Sequence, residues 1–279
     1  DQPRSRGLGD VYKRQEYLDI MDHRKTEQLI DTLDKVEQNR KECYIREFSI
    51  EHFHDSKVFE TLIPKICKIF REENEELTGF ENEEILAEYQ IYKTPGYVYM
   101  KGNVQIYSAG KQAADISAFP EGIAVAVGSE EDVPDICPDQ TIDKVFTIEN
   151  LTSFYRFKQE HSLVIYLGGY HNRSRRNLLM QIYQKLPDAQ YYHFGDLDAG
   201  GFYILEHLKR KTGIPFQMFQ MDIETLKKYE DYAKPLTEND KKRLMQLEKM
   251  ELPDEERKLI TYMLQKGIKL EQECISESQ

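Results

Sequence analysis

Residues 191–208, YYHFGDLDAGGFYILEHL, constrain the fold of this chain more than any other stretch. An apolar, aromatic run is followed by two aspartates one residue apart, Asp196 and Asp198, and then by Gly200, Gly201 and an amphipathic segment. This order predicts a strand, a tight turn and a helix, and the two glycines are expected to let that helix approach the turn closely. Carboxylates that follow a strand lie at the edge where open α/β sheets place their chemistry.

The same alternation of strand and helix extends over residues 141–220. Its strand candidates are apolar runs, most of which precede a helical pattern: Val145–Ile148, Leu163–Leu167, Tyr191–Phe194 and the stretch IPFQMFQM. Strands that alternate with helices predict a mostly parallel sheet with helices on its faces.

A third carboxylate, Glu149, follows the first of these strands as Asp196 follows the third. Because strand ends lie side by side in a parallel sheet, we expect Glu149, Asp196 and Asp198 to converge at one edge. Like charges this close resist joint ionisation, and a bound cation relieves the repulsion. Carboxylate oxygens suit Mg²⁺ or Mn²⁺, which retain waters and need few protein ligands. The sequence therefore predicts a metal site at these three acids.

Other interpretations of the two aspartates can be compared with the sequence. An EF-hand loop that began at Asp196 would need a glutamate at its twelfth position, where His207 stands, and Leu197 is apolar. A phosphatase-type aspartyl nucleophile would need Thr or Val at the position of Gly200. Both of these interpretations fail. Helix capping by the aspartates stays open, since Asp favours the N-terminal end of a helix.

Charge and composition leave nucleic acid open as a partner. The 279-residue chain has a net charge of -12, yet between positions 141 and 220 ten Lys and Arg residues face seven Asp and Glu residues. A local basic groove is thus compatible with an acidic chain. No run approaches the roughly 18 apolar residues of a membrane helix. The four cysteines are scattered without C-x-x-C spacing, which indicates neither zinc nor a disulfide framework and fits a reducing cytoplasm.

The first fifteen residues, DQPRSRGLGDVYKRQ, are expected to be foreign to the protein. The segment DVYKRQ corresponds to the translated transposon end of a sequencing-library adaptor, and we interpret residues 1–15 as read-through from it. We therefore exclude them from the fold prediction. On this interpretation the natural protein continues upstream of Glu16.

Residues 16–140 predict helices followed by short strands. Apolar residues recur at helical spacing in 16–39 and 58–70, and Gly96 and Gly102 then punctuate strands that we expect to pair as hairpins. Helices followed by hairpins suggest a winged-helix-like domain. The prolines within Glu130–Gln140 suggest a linker to a second domain at 141–279.

Three motifs of the second domain, IENLTSF, IYLGGY and HFGDLDAGG, occur in this order. They resemble the Toprim domain of the JetD family, the nuclease subunits of Wadjet plasmid-defence systems, whose relatives are the topoisomerase VI A subunit and the meiotic double-strand-break transesterases. The segments REFSIEHFHDSKVFE, YVYMKGNV and ISAFPEGIAV resemble the region before that domain, so the resemblance covers roughly residues 46–236. Several motifs that agree in order and spacing are more specific than a lone D-x-D.

The resemblance implies an α/β fold with a Toprim-type, mostly parallel sheet and flanking helices, preceded by a winged-helix (CAP-like) α+β domain. It also implies a homodimer that cleaves double-stranded DNA, with a divalent cation held by Glu149, Asp196 and Asp198. Members of this family work with a condensin-like SMC complex that extrudes DNA loops, and they cut the circular plasmid.

Several other side chains are candidates for contact with DNA or with the site. Arg173, Arg175 and Arg176 open the helix after the Gly168-Gly169 turn, where they are predicted to contact DNA phosphates. A solvated helix face is an equally open interpretation. His193 is expected in the core or behind the site residues as a support for them, and His171 near the site.

The larger relatives use a catalytic tyrosine, but no tyrosine here lies in a motif that matches theirs. Tyr89, Tyr92, Tyr97 and Tyr99 lie in or near the predicted winged-helix domain, and we interpret them as packing residues. Metal-dependent hydrolysis is therefore favoured. A non-catalytic DNA-binding scaffold and a tyrosyl transesterase are the alternatives.

Overall fold

The computed structural model describes residues 23–74, 77, 80–93, 96–108, 110–127, 134–168 and 173–275. The segment 1–15, interpreted as foreign sequence, lies outside these residues. The chain divides into two compact units, Asp1–Thr94 and Pro95–Gln279. This division lies before the domain boundary that the sequence predicts between residues 140 and 141.

The first unit is mainly helical. Its elements are α1 (His23–Gln38), β1 (Cys43–Tyr44), α2 (Ile45–Phe53), α3 (Val58–Glu73), α4 (Asn82–Glu88) and β2 (Ile91–Tyr92), and β1 pairs in parallel with β2. Apolar residues at helical spacing bury one face of α3, where Phe59, Ile66 and Phe70 lie in the core. The helices predicted in residues 16–39 and 58–70 are confirmed for the described residues.

The second unit is built on strands from several parts of the chain. These strands are β3 (Gly96–Lys101), β4 (Val104–Ser108), β5 (Lys111–Asp115), β6 (Ile123–Val127), β7 (Asp135–Pro138), β8 (Lys144–Ile148), β9 (Ser162–Tyr166), β10 (Gln190–Phe194) and β11 (Gln217–Met218). The central sheet has the order β11-β10-β8-β9-β3-β6. Its first four strands are parallel, which confirms the prediction for the alternating region, and β3 and β6 are antiparallel additions.

The strands β3 and β4 do not form the hairpin that the sequence predicts. β3 pairs with β6 and β9, whereas β4 pairs with β5 and β7 in a separate three-stranded sheet. Gly102 lies between them at φ 138°, and a Cβ there would stand 2.5 Å from the carbonyl oxygen of Ser162. Glycine is required here both by the positive φ and by the close passage of the chain to β9, although β3 and β4 do not pair across it. The predicted linker is also wrong for Asp135–Pro138, which forms β7.

Helices cover both faces of the central sheet. They are α5 (Leu151–Arg156), α6 (Arg173–Lys185), α7 (Ala199–Thr212), α8 (Ile223–Lys228), α9 (Glu238–Leu247) and α10 (Asp254–Lys266). Successive residues of β8 alternate between two cores: Val145 packs with residues of α6 and α7, and Phe146 packs with residues of α5, α8 and α10. A sheet buried on both faces explains why its strands read as continuous apolar runs.

The chain then returns to the central sheet in a C-terminal segment, residues 268–275. Two short antiparallel strands, β12 (Lys234–Pro235) and β13 (Ile268–Lys269), precede a 3₁₀ turn at Gln272–Cys274. Leu197, in the turn after β10, exchanges two backbone hydrogen bonds with Leu270, at 2.9 and 3.1 Å. The C-terminal segment therefore lies against the turn that carries the two aspartates. In the described part of the chain, no helix is long and apolar enough to cross a membrane.

Candidate active site

Glu149 and Asp196 leave the sheet from neighbouring parallel strands. Ile148, the last residue of β8, is in register with Phe194, the last residue of β10, and the N–H of Glu149 donates to the carbonyl oxygen of Phe194 at 3.0 Å. The backbone N–H of Asp196 in turn lies 3.3 Å from Oε2 of Glu149. The structure therefore brings these two predicted site residues together at the carboxyl edge of the sheet.

Gly195 makes this approach possible. A Cβ at this buried position would stand 2.7 Å from Oε2 of Glu149 and 2.9 Å from Nε2 of His193. Any larger residue would thus displace the Glu149 carboxylate or the imidazole. The absence of a side chain here lets a carboxylate lie beside the end of β10.

The Asp196 carboxylate is largely buried and lies near other negatively charged side chains. Its Oδ1 accepts a hydrogen bond of 2.7 Å from the backbone N–H of Gln272. Its pKa is raised to about 6, mainly by burial and also by the charges of Asp198, Glu273 and Glu271, against the lowering effect of the Gln272 hydrogen bond. A carboxyl surrounded by other carboxylates is stabilised when a cation approaches.

Asp198 caps the helix that follows. Its backbone is extended, and its Oδ1 accepts a hydrogen bond of 2.9 Å from the N–H of Gly201 in the first turn of α7. The capping interpretation is thus confirmed for Asp198. A role in metal binding stays a prediction, and it would use the carboxylate oxygen that does not cap.

A pair of substitutions at position 198 separates these two roles. Asparagine caps helices as well as aspartate, so the free energy of unfolding of Asp198→Asn should equal that of the wild type, whereas Asp198→Ala should lose about 1 kcal/mol. If Asp198 also binds metal, both variants should bind Mn²⁺ more weakly, because both lack the charge. Chemical denaturation and Mn²⁺ titration measure the two effects. Wild-type Mn²⁺ affinity in Asp198→Asn would leave the residue with capping alone.

The carboxylate oxygens of the three predicted ligands suit a hard cation, although their side chains are not arranged as a complete coordination site. Among the described residues, no group of three or more His, Cys, Asp and Glu side chains is arranged to hold a metal ion. One oxygen of Asp196 is engaged by Gln272, and one oxygen of Asp198 by α7. Mg²⁺ and Mn²⁺ tolerate such a site because they keep several waters and take only one or two carboxylates. Glu149, Asp196 and Asp198 therefore remain the predicted ligands.

His193 lies in the core behind the site, as the sequence predicts. It is fully buried, and its Nδ1 stands 3.0 Å from the hydroxyl oxygen of Thr147. Burial lowers its pKa to about 3, assisted by the charge of Lys209, so the imidazole is neutral at physiological pH. Its Nε2 has no hydrogen-bond partner within the described residues. The predicted position of His171 falls outside them.

The contribution of the C-terminal segment was not predicted from the sequence. Gln272 is completely buried, and the Nδ2 of Asn150, next to Glu149, donates to Oε1 of Glu273 at 2.5 Å. These residues lie in a charged tail, more than 70 positions from Asp196, without a local pattern that marks them. The burial of the polar Gln272 side chain in the structure is the signal that this segment belongs to the site.

Of the three arginines predicted to contact phosphates, Arg175 is the one whose side-chain contacts the structure describes. Arg175 uses its guanidinium inside the protein, where it donates to the carbonyl oxygens of Leu167 at 2.6 Å and Tyr97 at 3.3 Å, and burial lowers its pKa. Arg176 lies in α6, and the side chain of Arg173 is outside the described part. Phosphate contact by Arg173, Arg175 and Arg176 stays a prediction, and the contacts of Arg175 give it a structural role as well.

The tyrosines considered as nucleophiles lie mostly in packing positions. Tyr89 stacks on Phe70 with ring centroids 4.6 Å apart, Tyr99 meets Tyr166 edge-on at 5.7 Å, and Tyr92 is buried. The packing interpretation is confirmed for these three residues. Tyr97, in β3, is 52% exposed.

Comparison with known proteins identifies the family of this chain. A family model described as "Wadjet protein JetD, C-terminal" matches residues 131–279, which is more than half of the chain. The Wadjet protein JetD of Bacillus cereus (strain Q1) is similar, with 28% identity over 263 residues that cover 92% of this chain and 63% of the relative. The chain thus spans less than two thirds of the length of that relative. From the extent of the family match, the chain belongs to the JetD C-terminal family.

Proposed function

We propose that this chain carries the metal-dependent DNA-cleaving centre of a JetD-type plasmid-defence nuclease, with Glu149, Asp196 and Asp198 as the metal-binding residues. The observation that carries the proposal is the approach of Glu149 and Asp196 at neighbouring strand ends, with 3.3 Å between the Asp196 nitrogen and Oε2 of Glu149. Membership of the JetD family supports the choice of a phosphodiester as substrate.

The three acids have distinct tasks in this proposal. Bound Mg²⁺ or Mn²⁺ would polarise a phosphodiester oxygen and lower the pKa of a coordinated water. Asp196 supplies a carboxylate whose orientation is set by the Gln272 N–H. Glu149 would act as a general acid or base, because its half-buried carboxylate follows β8 and lies beside Asp196. Asp198 holds the start of α7 and adds a further negative charge.

The wider assignments follow from the family and are part of the same proposal. They are a Toprim-type identity for the sheet, a winged-helix (CAP-like) domain before it, homodimerisation, double-stranded plasmid DNA as substrate, a condensin-like SMC complex as partner and a cytoplasmic location. The similarity to a Wadjet protein supports the defence context.

Nicking of supercoiled plasmid by the full chain tests the proposal. Glu149→Gln keeps the volume of the side chain and an oxygen that can accept from Asp196, but it removes the charge. Its divalent-dependent nicking rate should fall by about 100-fold or more. Glu160→Gln, at an exposed turn before β9, is the matched control and should cleave like the wild type. Undiminished nicking by Glu149→Gln would remove Glu149 from the mechanism.

A DNA-binding scaffold is the second candidate, favoured by the cap role of Asp198 and by the lack of a finished three-ligand cluster among the described residues. A scaffold should bind plasmid DNA yet show neither nicking nor a carboxylate-dependent Mn²⁺ site. A tyrosyl transesterase would instead leave a covalent protein–DNA adduct after denaturation, and Tyr97→Phe would abolish that adduct if the exposed tyrosine formed it.

A further inference from the structure

Gln272 is a fully buried polar residue whose side-chain amide and backbone N–H form hydrogen bonds at the candidate site. Its Nε2 donates to the carbonyl oxygen of Phe194 at 3.0 Å, and its Oε1 accepts from the N–H of Asn150 at 2.8 Å. Its own backbone N–H donates to Oδ1 of Asp196 at 2.7 Å. One residue therefore contacts the end of β10, the residue after Glu149 and the Asp196 carboxylate.

These bonds continue the sheet beyond its last pair of residues. The pairing of β8 with β10 ends at Ile148 and Phe194. The carbonyl oxygen of Phe194 accepts from both the Glu149 N–H and the Gln272 side chain. The amide of Gln272 thus bridges the two loops at the point where they leave the sheet.

The C-terminal segment that presents Gln272 is attached on both sides of it. Leu270 pairs with Leu197, and Lys234 forms an ion pair of 2.5 Å with Glu271. On the other side, Glu273 accepts the hydrogen bond from Asn150. Because the segment is held at several points, the Gln272 side chain occupies a fixed place rather than an adventitious one.

We infer that Gln272 is a positioning residue of the candidate site, and that the C-terminal segment, residues 268–275, is a structural part of that site. Gln272 sets the distance between Glu149 and Asp196 and aims the Asp196 carboxylate, so that both acids are in place before a cation binds. The inference deepens the proposed function and rests on it for the identity of the bound cation. Residues that orient ligands in this way commonly change metal affinity by about 10- to 100-fold.

Two substitutions separate the side chain of Gln272 from its backbone. Gln272→Met keeps the length of the side chain and the N–H to Asp196, but it loses both amide hydrogen bonds. Gln272→Pro also removes the N–H. Proline fits this place because residue 272 begins the 3₁₀ turn and Glu271 before it is extended, at φ -77° and ψ 140°. Gln265→Met, at an exposed position of α10, is the matched control.

Mn²⁺ affinity, measured on the full chain from the spectrum of free Mn²⁺, should fall about tenfold in Gln272→Met and further in Gln272→Pro. Excess Mn²⁺ should restore plasmid nicking in Gln272→Met to within a few-fold of the wild type. It should not restore nicking in Glu149→Gln, which lacks a ligand. Rescue by metal assigns the defect to Mn²⁺ binding. Chemical denaturation without metal separates positioning from a general loss of folding, which bound Mn²⁺ could also offset: Gln272→Met should then be folded under the assay conditions.

Amide hydrogen exchange in the metal-free protein provides a readout that needs no cleavage. Exchange at Asp196, whose N–H faces Glu149, should be faster in Gln272→Met than in Gln265→Met. An exchange rate at Asp196 that is the same in Gln272→Met and Gln265→Met would overturn the inference. If the wild type binds Mn²⁺, an equal Mn²⁺ affinity in Gln272→Met would overturn it as well. A wild type that does not nick plasmid, while the exchange at Asp196 responds to Gln272→Met, overturns the proposed nuclease function and leaves the positioning role in place.

Discussion

Gly201→Ala is expected to lower the free energy of unfolding by about 3 kcal/mol or more, at the upper end of the cost of overpacking a core. A Cβ at Gly201 would lie 2.2 Å from the carbonyl oxygen of Asp196, and 3.1 and 3.2 Å from the carbon and nitrogen of the same residue. All three are backbone atoms, which cannot rotate away as the end of a side chain can. The first turn of α7 and the Asp196 peptide must therefore separate.

The displacement reaches the site directly, because the peptide that moves carries the Asp196 carboxylate. We expect Gly201→Ala to lose Mn²⁺ binding and plasmid nicking together with stability. Thermal unfolding followed by circular dichroism should show a melting temperature lower by roughly 6–12 °C, given about 2–4 °C per kcal/mol for a chain of this size.

Gly200→Ala is the matched control, one residue away in the same helix. Its Cβ would meet Oδ1 of Asp198 at 3.1 Å, a side-chain atom, and no backbone atom is within that distance. Alanine also favours a helix by about 1 kcal/mol over glycine, which offsets the tight contact. We expect the free energy of unfolding of this variant to lie within about 1 kcal/mol of that of the wild type. Equal effects at the two positions would mean that close backbone approach is not what requires glycine at 201.

The close approach of this helix is one of the features that the sequence predicts correctly. The parallel arrangement of β8, β9 and β10 is another, since each is an apolar run followed by a helical pattern. The convergence of Glu149 and Asp196 follows from the same topology, because acids that come after neighbouring strands meet at one edge. These predictions depend on local patterns and on one general rule for sheets.

The features that the sequence does not reveal depend on contacts between distant parts of the chain. Gly102 gives a turn signal, but its glycine is required by the Ser162 carbonyl of β9, so the predicted hairpin is wrong. Arg175 looks like a solvent-facing cation, yet it donates to the carbonyl oxygens of Leu167 and Tyr97. Gln272 is an ordinary polar residue in a charged tail until the fold buries it. Local patterns contain no information about such partners.

Asp196→Asn is expected to raise the stability of the metal-free protein while it abolishes metal binding. The pKa of Asp196 is about 6 in the folded protein, against 3.8 for an unperturbed aspartate. The folded state therefore retains a proton between about pH 4 and pH 6 that the unfolded chain releases, and stability falls as the pH rises through this window. Above it the penalty is constant. The shift corresponds to about 1–3 kcal/mol, at 1.36 kcal/mol per pKa unit, as an upper range for a partly buried group.

Asparagine removes this penalty because it carries no charge, and its carbonyl oxygen can still accept the hydrogen bond from Gln272. Without metal at pH 8, Asp196→Asn should therefore unfold at a higher denaturant concentration than the wild type, and the difference should vanish near pH 4. Asp188→Asn, at an exposed turn, should show no such difference. A variant no more stable than the wild type at pH 8 would contradict a destabilising charge at Asp196.

Added Mn²⁺ should reverse the order of the two proteins. A cation that binds only the folded state stabilises it in proportion to the logarithm of its concentration over the dissociation constant, and it binds the ionised carboxylate. The wild type should thus gain stability above about pH 6 and cleave plasmid, whereas Asp196→Asn should gain none and be inactive. The same charge that destabilises the empty site would then be the charge that holds the metal. A site built for catalysis is expected to show this exchange of stability for function.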